Sequence, residues 1–335
     1  MNAAIDDVAK AAGVSTATVS RALRGLPGVR PQTRARVREE ARRLGYAPSA
    51  SASSLASGRT RTIAVLTPWI RRWFHGCVTE GIERTLRGAG FDALLYSFER
   101  ADSPHRTRLD PIALRRRVDG VLVVGMPVDP DEEEVLNGLG VPVVFVGAGP
   151  PHQCTVTIDD GEATRAAMSH LLELGHRTIA LVTARGEDQE PWGPPAARQR
   201  AYQEALASVG VAFDERLVVP GEFGQAEARE RMVDLLRTRP DVTAVFAISD
   251  DMAFGVLQAA REVGRDVPQE LSVVGIDGHD MSDLVNLTTV HQDAVGQGAA
   301  AAGMLLEAIA GGQPQRIVTF PTHLVVRGTT APPRR

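Results

Sequence analysis

IDDVAKAAGVSTATVSRAL, residues 5–23, spells two short helices and the turn between them. Ile5, Val8, Ala9 and Ala12 share one helical face. Gly13 breaks the periodicity, Ser15 is placed to cap a second helix, and Val19, Ala22 and Leu23 supply that helix's apolar side. Two short helices joined by a glycine turn form a helix-turn-helix, whose second helix enters the DNA major groove. A third helix is expected from Gln32 through Leu44, with Val37, Ala41 and Leu44 closing a three-helix core. Charge agrees. Through Thr60 the chain carries ten Lys and Arg against four Asp and Glu, a net of +6; the whole chain is −4, so the remainder carries −10. A basic head on an acidic body is the footprint of a chain that meets phosphates at one end only.

Working outward, residues 46–61 read YAPSASASSLASGRTR, small residues with Leu55 the one large apolar side chain. Pro48 stops the third helix and Gly58 loosens the chain. The segment is therefore expected to be a flexible linker alone and a short helix only when docked, being too short to hold a helix unaided. From Thr62 the pattern becomes an alternation of apolar runs and amphipathic helices. IAVLTP (from Ile63), DALLYSF (Leu94), DGVLVVG (Val121), VPVVFVG (Val143), TIALVT (Ile179), AVFAIS (Val245) and LSVVGID (Val273) read as buried parallel strands. Helices are expected near Val78–Leu86, Ala163–Leu174, Ala197–Leu206, Ala226–Leu236 and Ala253–Val263. This is an α/β pattern with more units than one sheet holds comfortably. Two doubly wound, parallel-sheet lobes with a cleft between them follow, and ligands in such sheets sit beyond the carboxyl ends of the strands.

The loops after those strands carry the candidate chemistry. The first reads WIRRWF and brings Trp69, Arg71, Arg72, Trp73 and Phe74; later loops bring Asp159 and Asp160, Arg198, Phe223, Asp250 and Asp251, and Asp277. Carboxylates and a guanidinium beside an aromatic face suit a polyhydroxylated ligand, because they pair with vicinal hydroxyls while the ring packs against C–H groups. The alternative is that Asp160 and Asp250 cap the helices that follow, and that Arg71 and Arg72 face solvent. Catalysis is not expected. No GxGxxG follows the first strand, and GxxxxGK[ST], GxSxG and HExxH patterns are absent. Cys77 and Cys154 make no disulfide framework, and no Cys/His cluster has metal-ligand spacing, so neither metal nor cofactor is expected. The start MNAAIDDVAK has no signal pattern, and no apolar run approaches the roughly 20 residues of a bilayer span. A cytoplasmic, nucleoid-associated protein is the expectation.

Over essentially its full length the chain resembles the lactose-repressor/galactose-repressor (LacI/GalR) family of transcriptional regulators. The motifs that carry the resemblance, in order, are DVAKAAGVSTATVSRAL, VRPQTRARVREEARRLGYAP, SLASGRT, LELGHRTIALV, VPQELSVVGID and LTTVHQD. The resemblance implies a homodimer whose body is similar to type I periplasmic sugar-binding proteins, with chain crossings near Asp160, Val290 and Phe320. The expected division is a headpiece at 1–48, a hinge at 49–60 and a core at 61–335. Within the core, lobe 1 takes 61–160 and 291–319, and lobe 2 takes 161–290 and 320–330. It further implies that Thr16 and Ala17 read base edges, that Ser15, Thr18 and Arg21 contact phosphates or bases, and that Leu55 inserts into the minor groove. Arg198, Phe223, Asp250, Asp277 and Gln292 fall at positions that touch the effector; Trp69, Arg71, Phe74 and Asp160 join them as candidates from the loop reading.

The chain departs from the family pattern in several places. Ala4 stands where a threonine cap is usual, at a cost of about 1 kcal/mol unless Asp6 or Asp7 substitutes. Ser49 and Ser53 replace the usual hinge asparagine and arginine, Ser249 replaces an asparagine, and Gly278 follows Asp277 in place of a second aspartate. Trp69, Arg71, Arg72 and Trp73 replace a commoner Asp-x-x-Asn-Pro pattern, which points away from a plain hexose and toward an acidic or oligosaccharide ligand. The expected partners are a pseudo-palindromic DNA operator, a carbohydrate-like effector and a second copy of the chain. The expected function is repression controlled by the effector, the alternative being a sugar-binding or sugar-modifying α/β protein without an operator. The tail GTTAPPRR lacks a leucine heptad, so a dimer and not a coiled-coil tetramer is expected.

Overall fold

The computed structural model describes residues 3–46, 59–98, 109–126, 128–184, 193–221 and 224–334. The chain divides into two compact units, Met1–Thr60 and Arg61–Arg335. In the first, α1 (Ile5–Ala12), α2 (Thr16–Leu23) and α3 (Pro31–Arg43) pack around buried Val8, Ala12, Val19, Ala22 and Val37. Gly13 ends α1 in the left-handed region, φ +62°, which leaves the Val14 N–H to reach back to the Ala9 carbonyl at 3.0 Å. Ser15 caps α2, its Oγ accepting the Thr18 N–H at 3.2 Å. Ala4 has no side-chain acceptor for the first turn of α1, but the Asp7 carboxylate accepts the Ala4 N–H at 2.8 Å, which is the other half of a capping box. The third helix starts one residue before expectation, because Pro31 is preorganised for the first helical position. Leu55 and the hinge residues 47–58 lie outside the described residues.

The second unit holds two six-stranded sheets. Lobe 1 is built from β1 (Thr62–Thr67), α4 (Trp73–Gly88), β2 (Asp92–Ser97), α5 (Pro111–Leu114), β3 (Gly120–Val124), α6 (Pro130–Asn137), β4 (Val143–Val146) and β5 (Cys154–Ile158). The chain then crosses to lobe 2, with α7 (Asp160–Glu173), β6 (Ile179–Ala184), α8 (Pro194–Ser208), β7 (Val218–Gly221), α9 (Gln225–Thr238), β8 (Ala244–Ala247), α10 (Asp250–Glu262), β9 (Ser272–Asp277) and β10 (Thr288–Gln292). It returns to lobe 1 for α11 (Ala294–Ile309) and β11 (Ile317–Phe320), and ends in lobe 2 with β12 (Thr322–Val325). The sheet orders are β11-β5-β4-β3-β1-β2 and β12-β10-β9-β8-β6-β7. Pairing is parallel except between β10 and β12. The crossings follow Ile158, Gln292 and Phe320, so β10 carries lobe 2 two residues past Val290, and β11 keeps Phe320 in lobe 1.

All seven apolar runs form strands. DALLYS differs from expectation in burial: as β2 it is the edge of its sheet, paired only to β1, and it alternates between exposed and half-buried residues. The other six are central and mostly dry, Ile63, Val65, Leu122 and Val124 packing on one face of lobe 1 and Ala64, Leu66, Val121 and Val123 on the other. Each such side chain contributes roughly 1.5–3 kcal/mol over its exposed state. In lobe 1, α4 and α11 touch backbone to backbone. A Cβ at Gly81 would collide with the Val295 carbonyl, and one at Gly298 with the Val78 carbonyl. That contact ties the segment returning after the second crossing to the first helix of the lobe.

Candidate nucleic-acid interface and effector cavity

In the headpiece the first turn of α2 presents Ser15 and Ala17 to solvent with Thr16 and Thr18 half-buried between them. Ser15 and Thr18 share a hydroxyl–hydroxyl bond of 2.9 Å that fixes both side chains at the helix start. Arg21, one turn beyond Ala17, is exposed on the same face. The face is thus small and preset at its tip and cationic behind, a shape that lets α2 approach base edges while Arg21 reaches a phosphate or a base.

In the second unit a cavity of about 1040 Å³, open mouth included, lies at the carboxyl ends of the strands and takes wall from both lobes. Lobe 1 contributes Trp69, Arg72, Phe74, His75, Met126 and Gln297; lobe 2 contributes Asp160, Pro194, Arg198, Asp251, Asp277 and Gln292. Six of the residues singled out from sequence therefore meet in one wall: Trp69, Phe74, Asp160, Arg198, Asp277 and Gln292.

Three do not. Arg71 is exposed and absent from the wall; its neighbour Arg72, just before α4, is the one that turns inward and lays its guanidinium over the Trp69 ring, 5.2 Å from the centroid. Asp250 is wholly buried behind the wall, its carboxylate accepting from Thr289 Oγ1 (2.6 Å), Ser282 Oγ (2.8 Å) and the His279 N–H (2.9 Å). Phe223 lies outside the described residues. Neither Asp160 nor Asp250 is a helix cap, since Asp159 and Ser249 hold those places. Trp73 also leaves the cavity, stacking on His279 of lobe 2 with ring centroids 5.4 Å apart. Among the described residues, the two-arginine, two-tryptophan mouth expected from sequence is therefore one arginine and one tryptophan.

Arg198 is the central ion of the lobe-2 wall. It is 7% exposed, donates from Nε to Asp160 Oδ1 at 2.8 Å and from Nη1 to the Ile248 carbonyl. Burial raises the Asp160 carboxyl and Arg198 pulls it back. Asp277 closes β9 with φ +144°, a conformation that non-glycine residues rarely adopt, and this turns its carboxyl toward the cavity. A ladder of side chains holds it there. Gln297 Nε2 donates to Gln292 Oε1 at 2.9 Å, and Gln292 Nε2 donates to Asp277 Oδ1 at 2.8 Å.

Asp250 and Asp277 are close enough to share one charge. Burial raises both carboxyls; at Asp250 three short hydrogen bonds that favour the ionised form offset part of the rise, so the proton settles on Asp277, which burial and then the Asp250 charge push up to about 8. The linkage has a definite sign. A carboxyl that titrates near 3.9 unfolded and higher when folded holds its proton only in the native state between those values. Its contribution is complete below about pH 4 and is lost as pH rises through about 8. Asp277→Asn, which tolerates positive φ, is expected to remove this slope and to exceed wild type in unliganded stability by on the order of 2 kcal/mol at pH 8.5. Urea denaturation of both proteins at pH 5 and 8.5 measures it; parallel pH profiles would place the proton elsewhere.

His75 and Gln297 were not singled out from sequence. Their only signals were position, His75 directly after Phe74 and Gln297 five residues after Gln292 on α11, and neither means anything until α4 and α11 are packed together.

Residues 4–49 match the family described as bacterial regulatory proteins, lacI family, and residues 168–330 match the periplasmic binding protein-like domain. Catabolite control protein A of Priestia megaterium is 34% identical over 309 residues, covering 91% of this chain and 92% of its own. The transcriptional regulator CelR of Thermobifida fusca is 34% identical over 336 residues, covering 96% and 97%. The transcriptional repressor CytR of Escherichia coli is 33% identical over 337 residues, covering 98% and 96%. Among solved structures, a CelR–cellobiose complex superposes with a TM-score of 0.72 at 30% identity, over 98% of this chain and 99% of its own. The lac repressor dimer bound to operator and an anti-inducer superposes with a TM-score of 0.85 at 24% identity over 99% and 100%, a likeness of fold.

Proposed function

Because this chain belongs to the lacI family of bacterial regulatory proteins, we propose that Ser15, Thr16, Ala17, Thr18 and Arg21 read its operator, and that the cavity between the lobes takes the small molecule that controls operator affinity. The chain is a DNA-binding transcriptional regulator of that family and not an enzyme. Repression is the mode assigned here. The observation that carries the effector reading is the two-sided wall: Trp69 and Phe74 come from one lobe, Arg198 and Asp277 from the other. A molecule touching both stabilises one relative orientation of the lobes and shifts the population toward it. Coupling is reciprocal, so an effector that weakens DNA binding is itself bound more weakly by the DNA-bound protein.

A carbohydrate is the effector class proposed, on the aromatic Trp69 and Phe74 beside the Asp160–Arg198 pair and the Asp277–Gln292 ladder; the related CelR was solved with cellobiose. Among the described residues no helix is long and apolar enough to cross a membrane, and a nucleoid-bound, cytoplasmic location belongs to the same proposal.

Fluorescence anisotropy with palindrome-bearing duplexes from around the coding region tests it. Affinity is expected to fall steeply with salt and to change on adding the effector sugar. Arg21→Ala is expected to lose about tenfold to a hundredfold in DNA affinity while keeping sugar-induced thermal stabilisation. A purified protein that binds no such duplex at low salt, with or without sugar, would overturn the reading.

A further inference from the structure

Two polar groups in the cavity wall have unspent hydrogen-bonding capacity. His75 is 9% exposed; its Nε2 lies against the Gly125 backbone, and its Nδ1 has no hydrogen-bond partner among the described residues. Gln297, wholly buried, spends its Nε2 on Gln292 and leaves Oε1 without a partner. A histidine kept for structure alone bonds at least one nitrogen, as His176 does with Thr243, Ser272 and the Ala331 carbonyl at 2.9–3.0 Å. Leaving a buried polar group unpaired costs roughly 1–3 kcal/mol, a cost that a ligand able to pair it removes.

The His75 ring is also held in place. Trp69 and Phe74 meet it edge to face, at 5.4 and 5.5 Å between centroids, and Nε2 lies so close over Gly125 that a Cβ there would stand 2.6 Å away. The imidazole cannot swing out to find water without displacing two aromatic rings. Burial pulls it down to about 4, against an opposing contact with the Gly125 backbone, so at neutral pH it offers one donor and one acceptor.

We propose that His75 is a specificity-determining contact of the effector cavity, its Nδ1 pairing with a hydroxyl of an uncharged, polyhydroxylated ligand. The charge of the wall favours this class. Arg198 is committed to Asp160 and the Ile248 carbonyl, and Arg72 lies over Trp69, while Asp160 and Asp251 supply two carboxylates and Asp277 a protonated carboxyl. Among the described residues of the wall, no surplus of positive charge is present to hold an acid. A hydroxyl, being donor and acceptor at once, satisfies both His75 and Gln297 Oε1; a carboxylate does not satisfy Gln297. The proposal rests on the cavity being the effector site.

The test is calorimetric titration of the full-length protein, without DNA, using cellobiose, maltose, D-glucose and D-glucuronate as probes. At least one uncharged sugar is expected to bind and glucuronate is not. His75→Leu is expected to weaken that sugar at least about tenfold, and to raise the unliganded Tm by about 2 °C or more by removing an unpaired buried nitrogen. His75→Gln, which keeps a donor and an acceptor, is expected to stay within about threefold of wild type. Undiminished sugar binding by His75→Leu, or a lowered unliganded Tm, overturns the role of His75. Binding of glucuronate in preference, or of no uncharged probe, overturns the ligand class. A sugar that binds through His75 yet leaves operator affinity unchanged supports this inference and overturns the regulatory reading instead.

Discussion

Arg198→Met is expected to lower the stability of the effector-binding unit by roughly 3–5 kcal/mol, the cost of leaving one partner of a buried ion pair behind. The pair sits where the two lobes meet. Asp160 opens α7 just after the first crossing, Arg198 comes from the first turns of α8, and the Ile248 carbonyl that Arg198 also holds follows β8. The Arg198 and Asp160 side chains are 8% and 10% exposed, so water cannot replace the lost guanidinium. Burial already raises the Asp160 carboxyl, and a carboxylate stranded there takes up a proton more readily still, so the deficit is expected to shrink as pH falls toward the unfolded carboxyl value of about 3.9. Urea denaturation of the full chain at pH 7.5 and 5 reads both effects. Asp160→Leu combined with Arg198→Met is expected to recover most of the loss, since removing both charges is far cheaper than removing one. If the single variant loses less than about 1 kcal/mol, the pair is not the strut described.

Gly298→Ala is expected to cost about 3 kcal/mol or more and to lower the Tm of the chain by several degrees, although it adds a single methyl group to a helix. The methyl would enter the Val78 carbonyl of α4, and the reciprocal contact of Gly81 with Val295 leaves the two helices no direction in which to slide. Gly303→Ala is the control. It lies on the same helix with nothing within 4 Å of its would-be Cβ, and is expected to stabilise by up to about 1 kcal/mol through helix propensity. Equal effects at the two positions, measured by thermal denaturation, would mean that α4 and α11 do not depend on close approach. Because His75 is on α4 and Gln297 on α11, separating these helices is also expected to weaken sugar binding at the cavity.

Local pattern carried much of this protein. Helical spacing, the Gly13 turn and the Ser15 cap are interactions over three or four residues, so they were readable without any tertiary knowledge. Six of the seven apolar runs were legible for a similar reason, since a strand covered on both faces needs an unbroken apolar stretch, and DALLYS showed as a run without being covered. Strands with weaker runs were missed. CTVTI mixes threonines with its apolar residues, VVPG is short and carries a proline, and β11 and β12 flank Pro321 with polar residues between their apolar ones. The helix AVGQGAAAAGMLLEAI was missed too, because glycine and alanine fill the face that meets α4, where close approach replaces bulk.

The candidate site shows the same division more sharply. Residue types at strand ends were enough to gather Trp69, Phe74, Asp160, Arg198 and Asp277 as one group, because in a parallel sheet every such end points the same way, and the family resemblance added Gln292. Which of two adjacent arginines turns inward was decided by where α4 begins, and that Asp250 stands behind the wall was decided by the hydroxyls of Ser282 and Thr289, far along the chain. His75 and Gln297 became a pair only through helix packing. The chain order of apolar, small and turn-forming residues dictates which elements form and in what succession, because those preferences act within a few bonds. Which polar atoms are left buried and unpaired, and so what the cavity can hold, depends on neighbours distant in sequence, and only the assembled lobes supply them.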